Sequence, residues 1–147
     1  MKYIDIDNWE RKEHFEFFSS FDEPFYGVVV DLDCTAIYQY AKANNHSFYL
    51  LYLHKLLIAV NQCEPLKYRI IDGRIAIYDI ISVGPTIARD DKTFGYGYID
   101  YDPAFAAFVE SANQEIARVK GVKGLANPSA RQDIIHFSTL PWIKLLR

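Results

Sequence analysis

Residues 47 to 63, SFYLLYLHKLLIAVNQC, set the tightest limit on what this chain can fold into. Leu53, Leu56, Leu57 and Val60 recur at helical spacing, and the run is apolar around most of its circumference. Such a helix has to be enclosed, either by other elements or by lipid. At about 16 residues, interrupted by His54 and Lys55, it is shorter than the ~20 residues that a bilayer span requires. The rest of the chain must therefore build a shell around a buried helix.

Helices and strands to form that shell are legible on both sides. Asp7 with Glu10 gives a D-x-x-E capping pattern ahead of WERKEHFEFF, where Trp9, Phe15 and Phe18 are the expected inner stripe. FYGVVVDL, residues 25 to 32, is rich in β-branched residues and predicts a strand. Asp33 or Thr35 can cap a helix over TAIYQYAKAN. KYRII, Asp-Gly and RIAIYDII spell a hairpin, with the Asp-Gly pair accepting positive φ. TFGYGYID predicts another strand. Asp102-Pro103 opens a helix over FAAFVESANQEIARVKG that Gly121 can end. DIIHFSTL closes the pattern as a strand. The elements lack the regular βαβ rhythm of a doubly wound fold. The expected class is α+β, a mixed sheet with helices packed on it, in one domain over residues 1 to 147.

Composition narrows the chemistry. Net charge is -3, which argues against a nucleic-acid surface. The N-terminus MKYIDIDNW lacks a continuous hydrophobic stretch, so neither a signal peptide nor a membrane span is expected and the cytoplasm is the default. Aromatic residues make up 16% of the chain, enough to line a pocket for a flat apolar ligand as well as a core. Cys34 and Cys63 have no metal-ligand spacing and read as small core residues. His14, His46, His54 and His136 lack such spacing too, and no metal site is expected. His136 lies two positions before Ser138, on the same face of a strand. Side chains so placed run parallel, which suits a nucleophilic pair poorly. GYGYID has the first two glycines of a dinucleotide fingerprint without the third, and is read as a strand.

Taken in order, several stretches resemble the chloramphenicol acetyltransferases. W-x-R-x-x-H-F, here Trp9, Arg11, His14 and Phe15, is similar to their opening helix. HSFYLLYLHKLLIAVN resembles their H-x-FYP helix, and YRIIDGRIAIYD their hairpin with Asp-Gly at the turn and Trp-Asp at its end. KTFGYGY falls where they have E-T-F-S, and HFSTLPW resembles their S-x-x-PW strand. The correspondence runs from residue 4 to residue 144.

That resemblance implies a homotrimer with active sites between subunits, transferring acetyl from acetyl-CoA, as co-substrate, to a hydroxyl of chloramphenicol or a similar acceptor. No permanently bound cofactor is implied. A histidine in an HHxxxDG motif acts as general base. Ser138 takes the position of the oxyanion donor, and Arg11 that of the residue supporting the histidine loop. Phe17, Phe18, Phe25 and Phe94 fall at or near the antibiotic pocket, and Tyr49 and Trp142 where CoA is contacted. Phe18 stands where the family often has Tyr, FYL replaces FYP, and Ser47 stands where members can have Lys. HHxxxDG is absent from the 147 residues, and IKLLR drifts from the family pattern after Pro-Trp. The expectation is a member shortened at its C-terminus and inactive alone, with Arg11 buried and unpaired. The alternative is a small-molecule binding module without catalysis.

Overall fold

The computed structural model describes residues 1–126 and 131–142. A short strand, β1 (Lys2–Tyr3), precedes a 3-10 turn at Ile6–Asn8 and helix α1 (Lys12–Ser19). Helices α2 (Thr35–Ala43) and α3 (Phe48–Gln62) follow, then the hairpin of β2 (Tyr68–Ile71) and β3 (Arg74–Ile77). Strand β4 (Ser82–Ala88), strand β5 (Phe94–Tyr96), helix α4 (Phe105–Gly121) and strand β6 (Ile134–Phe137) complete the order. The described strands form two three-stranded sheets. In one, β3 lies between β1 and β2, all antiparallel. In the other, β4 pairs antiparallel with β5 and parallel with β6, a mixed sheet as expected.

Helix α3 starts where Ser47 accepts a hydrogen bond from the Leu50 N–H, and it is the centre of the core. Leu50, Leu53 and Leu57 pack with Val83 of β4, Ile99, and Phe108 and Ala112 of α4. Fully burying one such leucine contributes about 1.5–3 kcal/mol. His54, also buried, bonds through Nε2 to the Asp102 carbonyl at 2.9 Å, so Nε2 carries the proton. Its Nδ1 has no partner among the described residues.

Polar side chains tie this core to the sheets. Asn61 of α3 accepts from the Ile81 N–H at 2.8 Å and donates to the Ile81 and Leu57 carbonyls, each at 2.9 Å. Arg69 of β2 donates to the carbonyls of Gln132 and Ile134, joining one sheet to the other. Gly95 and Gly97 allow α4 close approach. A Cβ at Gly95 would meet the Arg89 guanidinium at 2.6 Å and Val119 at 2.8 Å. This is the physical reason for the spaced glycines of GYGY.

Several expectations are corrected. Asp7 does not cap α1; Asp5 accepts from the Asp7 N–H to open the 3-10 turn, and Asp7 instead pairs with Lys12. Of the expected inner stripe Trp9, Phe15 and Phe18, Phe18 is exposed. Residues 25–32 form no ladder among the described residues, and Phe25, Tyr26, Val28, Val29, Val30 and Leu32 stand 69% to 91% exposed. β-Branched composition favours a pleated, half-covered surface, and it makes no strand where no neighbour is paired. Cys34 and Cys63 are exposed rather than core, because they fall at the surface ends of α2 and α3. Asp102 accepts from the Ala104 N–H, and α4 starts later than Asp102-Pro103 implied. The Asp-Gly turn is as expected, with φ of 49° at Asp72 and 72° at Gly73.

Replacing Asn61 with Leu strands both backbone groups of fully buried Ile81. Chemical denaturation should show a loss of about 2–4 kcal/mol, against less than about 0.5 kcal/mol for Lys55→Ala on the exposed face of α3.

Candidate functional site

Ser138 owes its position to the parallel register of β6 on β4. Gly84 pairs with His136 and Pro85 with Phe137, so the next pair along is Thr86 and Ser138. Their hydroxyls are 2.9 Å apart. Ser138 follows the last residue of β6, with its side chain exposed. It lines a cleft of about 440 Å³ with Thr86, Phe94, Tyr96 and Trp142. The Thr86 hydroxyl can donate to Ser138, which leaves the Ser138 proton free to be offered into the cleft. His136 lines a separate, smaller cavity of about 140 Å³ with Gly84, Tyr96 and Tyr98. Its hydrogen bonds among the described residues do not include Ser138.

Behind the cleft lies an aromatic wall. Phe137 of β6 meets the rings of Tyr49 and Tyr52 on α3, centroids 6.5 and 5.9 Å away. The Tyr52 hydroxyl is 2.7 Å from Thr139 Oγ1, which holds the chain just past Ser138. Tyr49 is half-buried; burial, helped by neighbouring Tyr52, pushes its hydroxyl up to about 12. Tyr49 therefore acts as a neutral phenol at any physiological pH.

The start of β6 is held by charge. Arg131 donates to both carboxylate oxygens of Asp133, at 2.9 and 2.7 Å, and to Asp100 at 2.7 Å. The Arg131 hydrogen bond holds the Asp133 carboxyl below the ordinary aspartate value of 3.8, against partial burial. On the neighbouring helix, Glu115 takes two bonds from Arg118 and one from the Tyr98 N–H.

The residues named from the sequence separate into two groups. Ser138, Phe94 and Trp142 line one cleft, with Tyr49 on the wall behind it. Phe17 and Phe18 lie elsewhere, beside Glu13 and His14, and with Phe21 form an exposed trio of edge-to-face rings 5.2 to 5.4 Å apart. Phe25 is 89% exposed. Arg11, expected to be a buried charge, is exposed at the N-terminal end of α1, where water solvates it; it makes no ion pair among the described residues. Thr86 was missed by sequence reasoning, because its role follows from strand register alone. Residues 143–147, IKLLR, lie outside the described residues. The described residues contain no group of side chains able to hold a metal ion, and no described helix is long and apolar enough to cross a membrane.

The cleft thus presents a serine hydroxyl beside aromatic faces, on a mixed sheet backed by a buried helix. The chain belongs to the chloramphenicol acetyltransferase family, whose model matches residues 1–146. It is 32% identical over 115 residues to a chloramphenicol acetyltransferase of Klebsiella sp, covering 78% of this chain and 52% of that protein. With one from Proteus mirabilis it is 26% identical over 141 residues, covering 95% and 65%. A solved structure of a chloramphenicol acetyltransferase superposes with a TM-score of 0.80 at 32% identity, covering 93% of this chain and 68% of that one. The chain thus spans about half to two thirds of the length of these relatives.

The Asp133 shift has a defined consequence. Its native carboxyl titrates below 3.8, so its stabilising contribution is complete above that value and lost as pH falls through the lower native one. Melting temperature should drop as pH falls below about 3.8 toward the lower native value. The drop should be smaller in Arg131→Gln, measured by circular dichroism.

Proposed function

We propose that this chain carries the oxyanion and aromatic half of an O-acetyltransferase of the chloramphenicol type. The observation carrying the reading is the single cleft that holds Ser138, Phe94 and Trp142, within a family match over residues 1–146. In this reading the acceptor hydroxyl attacks the thioester carbonyl of acetyl-CoA. The C–O bond forms, the C–S bond breaks after the tetrahedral intermediate, and the hydroxyl proton passes through a histidine to the departing thiolate. Ser138 donates to the oxyanion, an interaction of a kind worth about 3 kcal/mol. Thr86 holds that serine in position. Trp142 and Tyr49 serve the CoA side, while Phe94, with Phe17, Phe18 and Phe25, serves the acceptor side. Arg11 supports the histidine loop.

The 147 residues contain no HHxxxDG motif, so the reading assigns the base to a histidine outside them. The exposed positions of Arg11, Phe17, Phe18 and Phe25 are consistent with surfaces that more polypeptide, or neighbouring subunits of a homotrimer, would cover. A second reading, ligand binding without chemistry, is favoured by the same cleft standing without that base.

The two readings share a first test. CoA or chloramphenicol should quench tryptophan fluorescence saturably, and Trp142→Phe should abolish most of the response. With both substrates present, thiol release should stay at the uncatalysed rate. Turnover at rates typical of enzymes, above ~1 per second, would overturn the assignment of the base to an outside histidine. His136→Ala would then be the next variant to make.

A further inference from the structure

We infer that Tyr96 recognises the acceptor in the Ser138 cleft, its ring closing the far end and its hydroxyl bonding a polar group remote from the reacting one. Strand register puts it there. Tyr96 of β5 pairs with Thr86 of β4, whose hydroxyl lies 2.9 Å from that of Ser138. Residues opposite one another on neighbouring strands share a face, so Tyr96, Thr86 and Ser138 stand in one row across the sheet. β5 and β6 flank β4 on opposite edges, which sets Tyr96 at one end of the row and Ser138 at the other. Two interstrand steps separate them, about 9–10 Å at the level of the backbone.

The residues around Tyr96 aim its ring. A Cβ at Gly95 would meet Val119 of α4 at 2.8 Å, and one at Gly97 would meet Glu115 of the same helix at 3.2 Å. Both glycines therefore face α4. Side chains alternate along a strand, so the ring between them points the other way, into the cleft. The Tyr96 N–H donates to the Leu125 carbonyl at 2.7 Å, which fixes the backbone. Phe94, on the same face, meets the Tyr96 ring edge-on with centroids 5.7 Å apart. Tyr96 lines both the cleft of Ser138 and the smaller cavity of His136, so it stands between them. A partly buried phenol ordinarily finds a partner for its O–H. The Tyr96 hydroxyl bonds to no other described residue.

The acceptor that fits this row is a hydroxylated single-ring molecule with a hydrogen-bond acceptor about 9–10 Å from its hydroxyl. Phe94, 44% exposed, and Tyr96 offer ring surface between the two ends. A longer molecule meets the Tyr96 ring before its hydroxyl reaches Ser138. The inference rests on the transferase reading for the placement of the reacting hydroxyl at Ser138.

Calorimetry on the full 147-residue chain tests it with chloramphenicol and the analogue carrying hydrogen in place of the nitro group. Tyr96→Phe should weaken chloramphenicol about fivefold and the analogue by less than about twofold. CoA affinity and melting temperature should not change in that variant, since the hydroxyl it removes has no partner in the protein. Tyr96→Ala, which also removes the ring, should weaken both ligands about tenfold or more. Unchanged chloramphenicol affinity in Tyr96→Phe, or equal losses for the two ligands, would overturn the inference and leave the transferase reading standing. So would CoA binding to the wild-type chain with no chloramphenicol binding. A wild-type chain that binds neither CoA nor chloramphenicol would overturn both.

Discussion

The pairing of β6 with β4 determines where each group of the Ser138 cleft lies, because strand register admits only whole-residue steps. A slip of one residue would turn Ser138 toward Tyr49 and Tyr52 and bring Phe137 into the cleft. The register is held from several sides. β4 is buried along most of its length, packed on α3 and α4 through Val83 and flanked by strands on both edges. At the far end of β6, Arg131 grips Asp133, whose carbonyl accepts from the Ser82 N–H at 2.8 Å. Past the near end, Tyr52 meets Thr139.

Most of the polar side chains that complete this frame act on backbone groups rather than on one another. Asn61 satisfies Ile81, Arg69 caps carbonyls of both sheets, Arg89 closes the end of α4, and Glu115 takes the Tyr98 N–H. Loops between short strands leave buried peptide groups without a ladder, and each such group left unpaired is costly. A few long side chains that reach across the chain supply the missing partners.

Much of the fold was legible in the sequence where local and tertiary demands agree. Helix α3 is helical by spacing and buried by composition, and Ser47 caps it. The Asp-Gly turn and the long α4 follow from local chemistry as well. Legibility failed where the outcome depends on a partner distant in the chain. Residues 25–32 have strand composition but join no described strand ladder. Asp7 offers a cap but meets Lys12, while Asp5 takes the turn. Cys34 and Cys63 are apolar by habit and exposed by location. In the site, Ser138, Phe94 and Trp142 were identified through motif resemblance, whereas Thr86 carries no motif.

By itself, then, the sequence determined a buried helix, an α+β class, a hairpin and the chemical identity of the residues near the serine. Those are properties of periodicity, turn chemistry and composition, which act over a few residues. Only the tertiary structure decided which of the named aromatics share a cleft and which face solvent. Each of these depends on the register of β6 against β4 and on the approach of α4 across Gly95. Such contacts join residues tens of positions apart, and no local preference encodes them.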